Sequence, residues 1–297
     1  MAALDPTSWL QRYEKHVQAL ISHQVQACKA KNVLAGLTDS IDRAYFAGGQ
    51  NAYTGAWVNA SASYTWSRMH NEAFRSSART RLGAHELADG EDRCGCTTKN
   101  NSAFAPHLFI CSSRKASWTW RHNLIRDTLI QGLKKISNRV HLGKEPLVRN
   151  HWNPSPGTPA DVQDRADIFF DATQVSNALH PSPLLVDVVV SAPRSAVVHA
   201  SSPVGTTAIH AALEKVRHYS RRFTVPKDAL VPFALEPSGV MSSGALNFLL
   251  SAARLKARPS SYEYAAFLHE LHTRVSLALQ IGNTSVIRRT GSWGVQS

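Results

Sequence analysis

Two aspartates stand where the chain should be buried. In PLLVDVVVSAPR (183–194) Asp187 interrupts a run of branched and long aliphatics, and in RADIFFDAT (165–173) Asp167 stands at the entrance to a second apolar run. An ionised carboxylate is costly to bury unless a cation or hydrogen-bond donors meet it. Two carboxylates brought together from neighbouring strands would hold Mg²⁺, which takes oxygen ligands and keeps several waters. Such a metal activates water and offsets the charge that develops on a phosphate being cleaved. Asp167 and Asp187 are therefore the expected magnesium ligands, although Asp167 taken alone reads first as a turn residue at a strand entrance. Glu145, in KEPLV, is a further acid expected to enter a third strand.

A cation to serve that pair is offered by HAALEKVRHYSRRF (210–223). On a helix Lys215, His218 and Arg222 share one face, and Leu213, Val216 and Phe223 are expected to face the core. Lys215 would polarise the attacking water; the plainer reading is a solvated basic face. In WRHNLIRDTL (120–129) His122 and Arg126 lie one turn apart on the polar side of a helix, placed to touch phosphate or to bridge to a neighbouring helix.

A second kind of chemistry resides in RCGCTTKNNSAFAPHLFIC (93–111). Cys94, Cys96, His107 and Cys111 supply three thiolates and one imidazole, the ligand set of a closed, structural tetrahedral zinc site. Three of the four cysteines fall in this window, which argues for a local metal site in an intracellular protein rather than a secreted disulfide framework. Buried, unliganded cysteines are the alternative.

The elements that must position these groups are legible in outline. Ser8 to Cys28 reads as an amphipathic helix, 66–81 as another, and the polar stretch 83–101 as loop. Trp120 to Ile136 is a helix with Leu124, Ile125, Leu129 and Leu133 on one side. Beyond a Pro-rich loop (151–164), strands are expected at RADIFFDAT, LLVDVVV (184–190) and LVPFALEP (230–237). They alternate with helices over 208–223 and 244–255, and a last helix capped at Ser260 runs to about Leu279. The expected organisation is a helical region (1–82), a Cys/His motif (83–114) and an α/β domain (115–297). With 297 residues, 43% of them hydrophobic, the chain can bury a substantial core. Its 33 Lys+Arg against 21 Asp+Glu give a formal charge of +12, which suits a polyanionic partner. No apolar run reaches the ~20 residues of a membrane span, and the N-terminus lacks the features of a signal peptide.

The order of these pieces resembles the C-terminal region of non-LTR retrotransposon, or reverse-transcriptase, polyproteins. There a Cys/His zinc motif precedes a restriction-enzyme-like endonuclease of the PD-(D/E)XK type. The correspondences run AWVNASASYTWSRMHNEAFRSSARTRLG, then C-G-C…H-x3-C, RH at 121–122, KEP, RADI, LLVDVVV, EKVRHY and PFALEPSG, over about 55–285. The resemblance implies a restriction-endonuclease-like mixed sheet flanked by helices. It makes Asp167 and Asp187 the metal-binding carboxylates and Glu145 an accessory acid. Three departures stand out. Ala166 replaces the proline of PD, and Gly95 falls between the cysteines rather than after them. Val189 occupies the place of the nuclease lysine, which retrotransposon versions often move to the following helix, where this chain has Lys215.

The expected activity is thus Mg²⁺-dependent hydrolysis of a DNA phosphodiester. Lys134, Lys135, Arg217, Arg221 and Arg222, with His122 and Arg126, would contact nucleic acid. DNA is the expected partner, RNA or a reverse-transcriptase domain a further one, and a nuclear or other intracellular setting follows; no membrane is involved. Val189 admits a degenerate copy as the other outcome. The alternative function is a non-catalytic, zinc-containing nucleic-acid-binding protein. A purely structural protein would instead pair Asp187 with an arginine such as Arg165 and lack an open cleft.

Overall fold

A computed structural model describes residues 25–288 apart from 26, 52–53, 61–66, 83–105, 160, 162, 176–182, 195–196 and 200. Cys94 and Cys96 lie outside the described residues, as does most of the helix expected at Ser8 to Cys28. Residues 27–36 are helical (α1), followed by α2 (Ser40–Gly49), α3 (Asn71–Leu82), α4 (Pro106–Ile110) and α5 (Lys115–Leu133). Then come β1 (His141–Lys144), β2 (Ile168–Asp171), β3 (Leu184–Val190), α6 (Thr206–Ser220), β4 (Leu230–Leu235), α7 (Ser243–Lys256) and α8 (Tyr262–Arg288). No described helix is long and apolar enough to cross a membrane.

The four strands form one mixed sheet in the order β1-β2-β3-β4, antiparallel at the first two pairings and parallel at the third. The parallel pairing requires a crossover, and α6 supplies it. Alternation along β3 divides the protein into layers. Leu184, Val186 and Val188 point into the main core with Ile168 and Phe170 of β2 and Phe233 and Leu235 of β4. Ile125, Leu129 and Leu133 of α5 cover that face together with apolar residues of α7 and α8. Leu185 and Val189 point the other way, into smaller clusters with Tyr219, Phe223 and the alanines of α6. By the same alternation Asp187 faces α6.

Three expectations are corrected here. Leu213 and Val216 do not face the core: with Ile209 they are 40–48% exposed, and the buried residues of α6 are Thr207, Ala208, Ala211 and Tyr219. The helix is rotated so that Lys215 and Tyr219 reach Asp187, and small alanines allow it to lie close to the sheet. Glu145 enters no strand; it follows β1 at a φ of 50°. Finally, α8 continues to Arg288 rather than ending near Leu279. Its last turns are polar yet buried, which hid them from an apolar-periodicity reading.

Those turns hold the N-terminal helices. The amides of Asn283 and Gln280 donate to the Pro237 carbonyl at 2.8 and 3.3 Å. Arg121 donates to Asn283 Oδ1 at 3.0 Å. Ser77 of α3 donates to the Gln280 carbonyl, and Thr284 to that of Ala73. The boundaries expected at 82 and 114 are thus crossed by hydrogen bonds and by a cluster joining Tyr45, Leu108, Phe109, Val286 and Ile287.

Candidate active site

The site begins with strand register. Ile168 opposes Val186 in the last pair of the antiparallel β2–β3 ladder, so Asp167 and Asp187 emerge together just beyond it, the Asp167 amide donating to the Val186 carbonyl. The two carboxyl groups come within hydrogen-bonding reach of each other. Both residues are buried, at 9% and 3% exposure.

Each carboxylate is met by donors from a different helix. Lys215 Nζ lies 3.2 Å from Oδ1 and 3.0 Å from Oδ2 of Asp187, and the Tyr219 hydroxyl lies 2.8 Å from Oδ2. Lys215 and Tyr219 are one helical turn apart on α6, which is why one helix presents both. Asp167 Oδ2 accepts from His122 Nε2 of α5 at 3.0 Å and from the Val188 amide at 2.6 Å. Arg126, one turn beyond His122, bonds the carboxylates of Glu145 and Asp127. The Glu145 amide in turn donates to the Asp167 carbonyl at 3.0 Å. Arg165, the residue a structural pairing would have placed on Asp187, sends its guanidinium to the Glu145 carbonyl instead.

The electrostatics follow from burial and pairing. Burial, opposed by Lys215 and reinforced by Asp167, pushes Asp187 up to about 6. Burial would also raise Asp167, but the hydrogen bond and charge of His122 outweigh it and hold that carboxyl below its ordinary value. His122 is raised in return: burial disfavours the imidazolium, and Asp167 more than restores it. The two carboxyls are thus pushed apart in acidity, Asp167 held down by His122 and Asp187 held up by burial despite Lys215. Tyr219 is raised as well, by burial first and then by the neighbouring acids.

Beside the pair opens a groove of about 660 Å³, walled by α5 at Trp118 and His122, by α6 at Lys215 and His218, and floored by the end of β3.

The remaining sequence candidates are dispersed. Lys134 and Lys135 sit at the far end of α5, twelve and thirteen residues past His122, or roughly 18–20 Å along the helix. Lys135 pairs with Glu270. Arg217 and Arg221 are exposed on or just past the end of α6. Arg222 makes a bidentate pair with Asp164 at 2.9 Å to each oxygen, and the imidazole of His218 lies 3.6 Å from the same acid. Of the expected zinc ligands, His107 lies on α4 and Cys111 is buried just past its end, its Sγ 3.1 Å from Ser113 Oγ.

Sequence reasoning missed Tyr219, Asp164 and Glu236. Tyr219 sits at i+4 from Lys215, and that spacing was the available signal. Glu236 closes β4 and accepts from the amides of Thr207 and Ala208 at 3.1 and 3.4 Å, capping α6.

No protein-family model and no characterised protein matches the chain. Function must be argued from the site itself. Among the described residues no group of three or more His, Cys, Asp or Glu side chains is gathered as a ready-made metal cage. The Asp167–Asp187 pair supplies two hard carboxylates of the kind Mg²⁺ takes, and a cation there would displace Lys215, Tyr219 or His122 from their oxygens.

Proposed function

We propose that the protein is a metal-dependent DNA endonuclease of the restriction-enzyme-like type found in non-LTR retrotransposon polyproteins. The observation that carries this reading is the approach of Asp167 and Asp187 just beyond the β2–β3 ladder, with Lys215 of the following helix on Asp187. The mixed sheet flanked by helices agrees with the fold this resemblance implies, and Lys215 stands in for the lysine missing at Val189. The charge of +12 supports a nucleic-acid partner and, with it, work on nuclear DNA.

On this reading Asp167 and Asp187 hold Mg²⁺, which when bound supplies a Lewis acid for the scissile phosphate and acidifies water. His122 keeps Asp167 ionised and oriented. Lys215 balances the charge of Asp187 and orients water entering from the groove. Glu145, tied to the backbone of Asp167, is the accessory acid. Zinc on Cys94, Cys96, His107 and Cys111 is a structural element of the same proposal. Plasmid nicking with Mg²⁺ tests the reading: wild type should nick, and equal nicking by Asp187→Ala would remove this pair from the mechanism.

One observation favours a second reading. The carboxylate oxygens of the pair are engaged by the protein's own donors, namely Lys215, Tyr219, His122 and the Val188 amide. A non-catalytic nucleic-acid-binding protein would keep this arrangement, and salt-sensitive DNA binding without cleavage would identify it.

A further inference from the structure

The groove beside the acid pair has an unusual floor. Leu185 and Ser191 send their amides to β4, to Ala229 and Leu235, so the odd residues of β3 pair with that strand. The even residues point toward β2: the Val186 carbonyl accepts from Asp167, and the Val188 amide is taken by the Asp167 side chain. There the ladder ends. The chain preceding Asp167 turns away, Ala166 donating to the Pro146 carbonyl and Arg165 bridging Leu147. No strand among the described residues carries the line of β2 past Asp167. The Val190 amide and carbonyl therefore face the groove as a backbone donor and acceptor, while Val188 stays buried.

Around these groups the lining is mixed: Val189 and Val190 below with Ser191, and the indole of Trp118 beside Thr119 on the α5 wall. Cations outnumber the one acid at the rim, with Lys215, His122, Arg194 and His218 against Glu214. A slot with an aromatic wall and fixed polar groups suits a flat heteroaromatic ring. The cationic rim suits the phosphates attached to it. One amide and one carbonyl are too few to hold an added peptide strand but enough for the edge of one base.

We propose that this groove receives an unpaired nucleobase adjacent to the phosphodiester at Asp167 and Asp187, with Trp118 as its stacking surface and the Val190 backbone as its hydrogen-bonding rim. The proposal rests on the endonuclease reading for the identity of the ligand, and its substrate is DNA with an unpaired nucleotide rather than continuous duplex.

Binding measured in EDTA separates this subsite from cleavage. The probes are a duplex carrying one bulged 2-aminopurine and the same duplex without the bulge. The full-length chain should bind the bulged duplex at least about tenfold more tightly and change the 2-aminopurine emission. Trp118→Leu, which keeps apolar packing but loses the ring face, should lose roughly tenfold of that preference, the effect of one base–aromatic stack. Trp118→Tyr should retain it. Val190→Pro removes only an amide that does not pair with β4, and should also reduce the preference. Equal affinity for the two duplexes, or an unchanged preference in Trp118→Leu, overturns the proposal. Tighter capture of an extended apolar peptide than of bulged DNA, lost in Val190→Pro, would reassign the groove to a peptide. Nicking without any bulge preference would refute the subsite alone; a bulge preference without nicking would refute only the catalysis.

Discussion

Lys215 bridges both oxygens of Asp187, at 3.2 and 3.0 Å, from a helix that enters only after the strand bearing the acid has ended. The pairing explains how a charge is tolerated in the middle of LLVDVVV. It also orients α6: the polar side of the helix faces the sheet at this point, and an apolar stripe is left outside. Asp187→Asn keeps the shape and most of the hydrogen bonds but removes the charge. Nicking should fall at least about a hundredfold, since even indirect partners of a metal site are worth ten- to a hundredfold. The melting temperature should hold or rise, because the ionised carboxyl is disfavoured by burial.

The pH dependence of nicking carries a definite sign. Asp187 must lose its proton to ligate a cation, and burial next to Asp167 pushes it up to about 6. Nicking at sub-saturating Mg²⁺, where metal and proton compete for the carboxylate, should therefore rise as pH increases through about 6 and level off above 7. A flat profile from pH 5 to 8 would contradict this role.

Glu236 makes a separate prediction about stability. Burial pushes this carboxyl up to about 7, partly offset by the amides of α6. A carboxyl raised on folding binds more protons in the native state, so its contribution is intact below the unfolded value near 4.5 and lost as pH rises to 7. Glu236→Gln can still accept from Thr207 and Ala208 through its amide oxygen. Urea unfolding at pH 5 and pH 8 should show the wild type losing stability between the two, and the variant losing about 1–3 kcal/mol less.

Tyr219→Phe strips one donor from a buried carboxyl. The expected cost is about 1–2 kcal/mol, read as a lower denaturant midpoint at unchanged slope.

The rotation of α6 is testable without any assay of function. Leu213→Ser and Val216→Thr should change stability by less than about 0.5 kcal/mol, because both side chains are exposed. Ala211→Leu should destabilise by about 1–3 kcal/mol, because that alanine packs against Ala208 and Ala234. The opposite ranking would restore the orientation read from the sequence.

The strands and helices around the site were legible because their patterns are local. LLVDVVV is apolar on both sides, as a central strand covered by helices must be, and WTWRHNLIRDTLIQGL places Ile125, Leu129 and Leu133 at helical intervals. The acid pair was legible too, since a charge amid aliphatics demands a partner. The orientation of α6 was not, because Leu213 and Val216 obey helical periodicity while the deciding contact, Lys215 with Asp187, spans 28 residues. The end of α8 was hidden for a similar reason. Gln280, Asn283 and Thr284 look like solvent-facing residues, and only contacts with Pro237, Arg121 and Ala73 bury them. Arg222 looked like a phosphate ligand; Asp164, far off in sequence, claims it.

Arg114, itself buried, donates to the carbonyls of Val286 and Ile287 at the end of α8. A positive group there complements the partial negative charge that a helix accumulates at its carboxyl end. Trimming the chain back past Val286 would strand that guanidinium in an apolar pocket with nothing to hold. The shortest fragment able to fold should therefore extend through Ile287. A proteolytic cut in those last turns would be felt at the segment bearing His107 and Cys111, 175 or more residues earlier in the sequence.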